Sequence, residues 1–171
     1  MASPSKLAHV VLKTGQLTTM TEWYVRILEG SVTFANDSLA FLTYDDEHHR
    51  IALISTGASE RPGEGHTGLH HAAFTYSTLA DLLGTYQRLN AEGIHPFWCV
   101  NHGPTTSMYF EDPDGNHIEL QIDNFATEEA LHEWFASGAF EEDPIGTRFD
   151  PDALVRRFES GESFAELVKR S

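Results

Sequence analysis

Three short stretches of the chain carry residues able to hold a metal ion: Leu7-Ala8-His9-Val10-Val11-Leu12, Leu69-His70-His71-Ala72-Ala73-Phe74 and Asp114-Gly115-Asn116-His117-Ile118-Glu119-Leu120. Two neutral imidazoles and one carboxylate grip a divalent cation on one side and leave its other positions open, which is what a chelating substrate and a second small reactant need. Each candidate ligand lies in an apolar run of strand type, so a strand is expected to set its direction. His9 shares a strand face with Leu7 and Val11, and His71 with Leu69 and Ala73, while His70 points the other way. Glu119 sits between Ile118 and Leu120, and a carboxylate turned into a sheet is costly unless paired or metal-bound. Taken singly, His9 also reads as a satisfied core histidine, and Glu119 as a solvent-facing residue beside His117 and Gln121.

An internal repeat lifts the three above that level. Residues 6–56 read as one βαβββ module: a strand at 7–12, a helix at 17–28 ended by Gly30, and strands near 31–35, 39–44 and 49–55. Met20, Trp23, Tyr24, Ile27 and Leu28 form the stripe of that helix. A glycine-rich linker spans 57–67. The pattern recurs in 68–124, with a strand at 69–75, a helix at about 77–92 and strands near 95–100, 105–111 and 116–122. Leu79, Leu82, Leu83, Tyr86 and Leu89 line that helix's buried face. Ala8-His9-Val10-Val11 then matches His70-His71-Ala72-Ala73, and Ile51-Ala52-Leu53 matches Ile118-Glu119-Leu120. Ala52 therefore stands in the first module where Glu119 stands in the second. Alanine supplies no donor, so the site has three protein ligands and an open side.

The remainder, 125–171, reads as a helical C-terminal extension. Helices are expected at 126–137, from Pro151 behind an Asp150 cap, and at about 162–169. It is too short for a domain and packs on the core, on a second subunit or over the site.

The hairpin before Glu119 places one more residue. Pro113-Asp114-Gly115 reads as a three-residue loop with Gly115 at positive φ. Pairing Asp112 with Asn116 sets Tyr109 opposite Glu119 on one face, about 5 Å apart between β-carbons. A phenol there reaches a metal-bound ligand or, on the alternative reading, solvent. Phe97, Trp98 and Phe110 form either an apolar ring pocket or part of the core.

Composition bounds the partners. Asp plus Glu total 26 against 11 Lys plus Arg, a net charge of -15, which repels phosphate backbones and anionic lipid and argues against nucleic acid and membrane partners. The lone Cys99 forms no internal disulfide, as in a reducing compartment, and the first residues lack an apolar signal core. A cytoplasmic location is expected.

These residues resemble the vicinal oxygen chelate (glyoxalase/bleomycin resistance/dioxygenase) superfamily, and within it the small single-domain type I extradiol catechol dioxygenases. The resemblance covers roughly 6–124, and the tail is similar to that of the small members. Its most specific part is Tyr109-Phe110-Glu111-Asp112-Pro113-Asp114-Gly115-Asn116-His117-Ile118-Glu119, where an active-site tyrosine precedes the glutamate ligand by ten residues. The resemblance implies an α+β fold of two βαβββ modules with the helical extension. It implies Fe(II), with Mn(II) as the alternative, on His9, His71 and Glu119, and insertion of both atoms of O2 into a catechol. His48-His49-Arg50-Ile51-Ala52-Leu53 resembles the strand carrying the family's acid–base histidine, with His49 as the match. Regular strand parity would instead put His48 on the face of Ala52, unless a late strand start or a bulge intervenes. His102, in Asn101-His102-Gly103-Pro104-Thr105, is similar to a family histidine that hydrogen-bonds substrate or oxygen. It lies closer to Tyr109 than in the larger two-domain members. A homodimer or higher homo-oligomer is expected.

Other activities compete. A superfamily lyase or epimerase needs a fourth ligand, which Ala52 does not give. A fosfomycin-type thiol transferase wants a cationic pocket, and Lys and Arg are sparse through 90–122. An aromatic drug-binding protein without metal needs none of the three ligands.

Overall fold

The computed structural model describes residues 2–58, 60, 65 and 67–170. Of the linker expected at 57–67, residues 59, 61–64 and 66 lie outside the described residues, as does Ser171 of the extension. The chain forms two compact units. Unit 1 holds the chain up to Gly68 together with Asp112–Asn116. Unit 2 holds Leu69–Glu111 and the chain from His117 onward. Among the described residues no helix is long and apolar enough to cross a membrane.

Unit 1 runs β1 (Val10–Thr14), α1 (Leu17–Leu28), β2 (Ser31–Ala35), β3 (Leu39–Thr43) and β4 (Ile51–Ser55). Its sheet has the order β1-β4-β3-β2, with β1 parallel to β4 and the other pairs antiparallel. Met20, Tyr24 and Ile27 recur at helical spacing, and α1 buries them against the Leu42, Ile51 and Leu53 side of β3 and β4. The residue in left-handed conformation after α1 is Glu29 (φ 49°), one position before the expected Gly30. Gly30 is needed for a different reason: a Cβ there would stand 2.7 Å from the Thr43 carbonyl oxygen. The hairpin tip Asp112–Asn116 is anchored in this unit. The buried Asp112 carboxylate accepts from the Tyr24 hydroxyl (3.0 Å), from the backbone N–H groups of Asp114 and Asn116, and from Asn116 Nδ2. Gly115 takes the positive φ (78°) that the loop requires.

Unit 2 repeats the order with β5 (Ala72–Thr75), α2 (Leu79–Ala91), β6 (Trp98–Asn101), β7 (Thr105–Glu111) and β8 (His117–Asp123). Thr78 caps α2 by accepting from the Asp81 N–H. Leu79, Leu82, Leu83, Tyr86 and Leu89 are buried on one stripe, as the spacing predicts. α3 (Glu128–Ala136), α4 (Ala139–Glu142), β9 (Thr147–Arg148), α5 (Pro151–Glu159) and α6 (Phe164–Leu167) complete it. The sheet order is β5-β8-β7-β6-β9, with β5 parallel to β8. Asp150 does cap α5, accepting from the Asp152 N–H with Pro151 in the first turn. α6 is shorter than the helix expected at 162–169, a single turn between Ser163 and Val168. The two-residue β9 was not foreseen, because so short a strand leaves no periodicity to read.

The extension packs on the core of unit 2. α5 lies on α2, the Tyr86 hydroxyl donates to Asp152 at 2.7 Å, and Asn101 Nδ2 donates to the Val168 carbonyl at 2.7 Å.

Candidate active site

Strand register brings the predicted chemistry of unit 2 together. Tyr109 faces Glu119 directly across β7 and β8, as the three-residue hairpin loop predicts. Ala73 faces Glu119 from the other side, across the parallel β5–β8 pair. The odd-numbered Tyr109 and Glu119 therefore share one face of the sheet, while Phe110, Ile118 and Leu120 turn into the core on the other. Phe110 is thus a core residue, whereas Phe97 lies exposed beside His117 with ring centroids 4.7 Å apart.

Glu119 is only 4% exposed, and its side-chain partners are an imidazole and a phenol. His71 Nε2 lies 3.0 Å from Glu119 Oε2. Ligand bonds of about 2.1 Å at right angles would put two donors about 3 Å apart, so the pair fits neighbouring positions on one ion. His71 is not in a strand as expected. β5 begins at Ala72, and β1 likewise begins at Val10, so His9 and His71 both occupy the residue just ahead of the parallel strand.

Tyr109 ties this pair to His102. His102 Nε2 and the Tyr109 hydroxyl are 2.9 Å apart, and His102 Nδ1 lies 2.6 Å from the Ile145 carbonyl. A carbonyl only accepts, so in the neutral ring Nδ1 carries the proton and Nε2 accepts from the phenol. The same phenol stands across the ladder from Glu119, whose charge acts on it. Burial first, then the Glu119 charge, raises the Tyr109 pKa well above the usual phenol value. Trp98 stacks on the Tyr109 ring at 4.8 Å and 27°, holding it in place. Gly103 allows Trp134 of α3 to close in beside His102: a Cβ there would meet the indole at 2.3 Å.

In unit 1, His9 stands with His49, their ring centroids 4.3 Å apart. His49 is 8% exposed and stacks on Phe41 at 4.2 Å and 7°, whereas the His48 side chain is 70% exposed. The parity conflict between these neighbours dissolves because β4 starts only at Ile51, so strand alternation does not reach them. Burial, and then His9 and His48, hold the His49 pKa below the ordinary imidazole value. Phe41 was not singled out from the sequence. The signal was available in the repeat, since Phe41 pairs with Ala52 as Tyr109 pairs with Glu119. Among the described residues no three of His, Cys, Asp and Glu form a metal-holding group. The structure pairs His71 with Glu119, and His9 with His49.

The chain has relatives among known proteins. Residues 6–120 match the Glyoxalase/Bleomycin resistance protein/Dioxygenase superfamily, and the chain belongs to it. Biphenyl-2,3-diol 1,2-dioxygenase 3 of Rhodococcus globerulus is 43% identical over 173 residues, covering 100% of this chain and 91% of that protein. Biphenyl-2,3-diol 1,2-dioxygenase 2 of the same organism is 40% identical over 162 residues, covering 94% and 85%. A lactoylglutathione lyase from Agrobacterium tumefaciens superposes with a TM-score of 0.58 at 18% identity, over 71% of this chain and 96% of that one. That last likeness is one of fold alone.

Proposed function

We propose that this protein is an extradiol dioxygenase that opens the ring of a catechol-type substrate with O2. The observation that carries the reading is the cluster His71, Glu119, Tyr109 and His102 in unit 2, in which a buried carboxylate lies beside an imidazole and a phenol. The names of the two Rhodococcus relatives support the reaction class and make biphenyl-2,3-diol the first substrate to test.

His71 and Glu119 would hold a divalent ion, Fe(II) or else Mn(II). His9 is proposed as the third ligand, from its matching position ahead of β1. Bound there, the ion supplies the positive charge that eases loss of a catechol proton, and the redox partner that O2 chemistry needs. Tyr109 donates its hydroxyl proton to a substrate oxygen, oriented by the Trp98 stack and by His102. His102, fixed by the Ile145 carbonyl, accepts the phenol's hydrogen bond until a bound substrate oxygen takes its place. His49 is the proposed proton carrier. Its depressed pKa keeps the ring neutral near pH 7, ready to take the second hydroxyl's proton and return it later. A cytoplasmic location and a homo-oligomeric state complete the proposal.

The test is anaerobic loading with Fe(II), followed by oxygen uptake against a catechol panel that includes biphenyl-2,3-diol. Consumption of O2 with a yellow ring-fission product is expected. Stoichiometric iron without uptake on any catechol would overturn the reading.

A further inference from the structure

We infer that His70 positions the ligand histidine: its Nδ1 accepts the Nδ1–H of His71 and so fixes the tautomer that leaves His71 Nε2 free for the metal. The inference deepens the proposed function and rests on its assignment of His71 as a ligand. Strand alternation would send these neighbouring rings to opposite faces. β5 starts only at Ala72, however, and the irregular backbone ahead of it brings the two Nδ1 atoms to 2.7 Å.

A neutral imidazole carries one proton, on one nitrogen. His71 Nε2 is the nitrogen beside Glu119, and it must be bare to bind an ion. The proton then sits on Nδ1, where its partner is His70 Nδ1. His70 accepts there through a lone pair and keeps its own proton on Nε2. Metal-binding histidines depend on such an acceptor, which holds the ring's orientation and raises its basicity. Here an imidazole fills the place usually taken by a carboxylate or a carbonyl. The His70 ring meets His71 edge-on at 5.0 Å and His117 edge-on at 6.3 Å, which limits its rotation.

Unit 1 contains the same arrangement independently. His48 and His49, just ahead of β4, have their Nδ1 atoms 2.5 Å apart. In both units a histidine with a proposed role is preceded by one that bonds its Nδ1.

His70 is exposed, so its replacement should leave the fold intact. Fe(II) affinity, measured anaerobically by competition with a chromogenic chelator, should fall about 10–100-fold in His70→Leu. His70→Asn, whose amide oxygen can accept the same hydrogen bond, should stay within a few-fold of the parent. Long-range proton–nitrogen NMR of the zinc-loaded protein should find the His71 proton on Nδ1. Unchanged affinity in His70→Leu, or equal losses in the Leu and Asn variants, would overturn the inference while leaving the metal reading intact. Retention of Fe(II) by His71→Ala would instead overturn the metal reading, and this inference with it.

Discussion

Units 1 and 2 run through the same βαβββ order and share one register across the three strands that meet at Ala52 and at Glu119, yet they carry different chemistry at equivalent positions. Val11 pairs with Ala52 and Ala52 with Phe41, while Ala73 pairs with Glu119 and Glu119 with Tyr109. The fold thus offers both units the same two positions on one sheet face. Unit 2 fills them with a carboxylate and a phenol, and unit 1 with a methyl group and an unsubstituted ring. What the units share is the histidine ahead of the parallel strand, His9 in one and His71 in the other. The scaffold thus sets where a ligand can stand, and single substitutions decide whether one stands there. Phe41, without a hydroxyl, serves as the flat surface against which His49 stacks.

Making unit 2 copy unit 1 should do the most damage. Glu119→Ala reproduces Ala52 and should abolish both iron binding and turnover, read by bound iron after gel filtration. Losing only activity, with iron retained, would show that the carboxylate is no ligand. In unit 1, His49→Gln should keep iron and catechol binding but slow turnover by roughly 10²–10⁴-fold, the usual contribution of a general acid–base group. His48→Gln serves as the control and should lose far less. A reversed result in single-turnover kinetics would hand the proton role to the exposed neighbour.

Tyr109→Phe completes the conversion toward Phe41 more gently. Iron content should be unchanged, and kcat/KM should fall by a factor equivalent to about 1.5–3 kcal/mol, the worth of a hydrogen bond to a charged group. Steady-state rates equal to the parent's would mean that the hydroxyl contributes nothing to the reaction. The smallest contrast concerns packing and is read by denaturant unfolding. Gly30→Ala in unit 1 forces a Cβ onto the Thr43 carbonyl oxygen and should cost about 1–3 kcal/mol. Gly84→Ala in α2 meets nothing within 4 Å and should gain up to about 1 kcal/mol from helix propensity.

Much of this arrangement was legible in the chain, wherever local rules govern it. The repeat, the buried stripe of α2, the Asp150 cap and the Gly115 turn depend on residues close in sequence. The Tyr109–Glu119 pairing follows from the same kind of rule, since a three-residue hairpin loop leaves the strands one register. Ala52 as the counterpart of Glu119 needed only the two halves laid side by side. Tertiary structure decided the rest. Sequence alternation assumed that strands began before His9, His49 and His71, and on that basis set His48 against His49 and turned His70 away. The ladders begin one or two residues later, because the first backbone pairings are made by Val10 with Ile51 and by Ala72 with Ile118. Ahead of those pairings nothing imposes alternation, so neighbouring imidazoles can meet. The bond from His102 to Ile145, the Trp134 contact at Gly103 and the seating of α5 on α2 likewise join residues far apart in the chain. No local pattern encodes them, because each exists only once the extension has packed on its core.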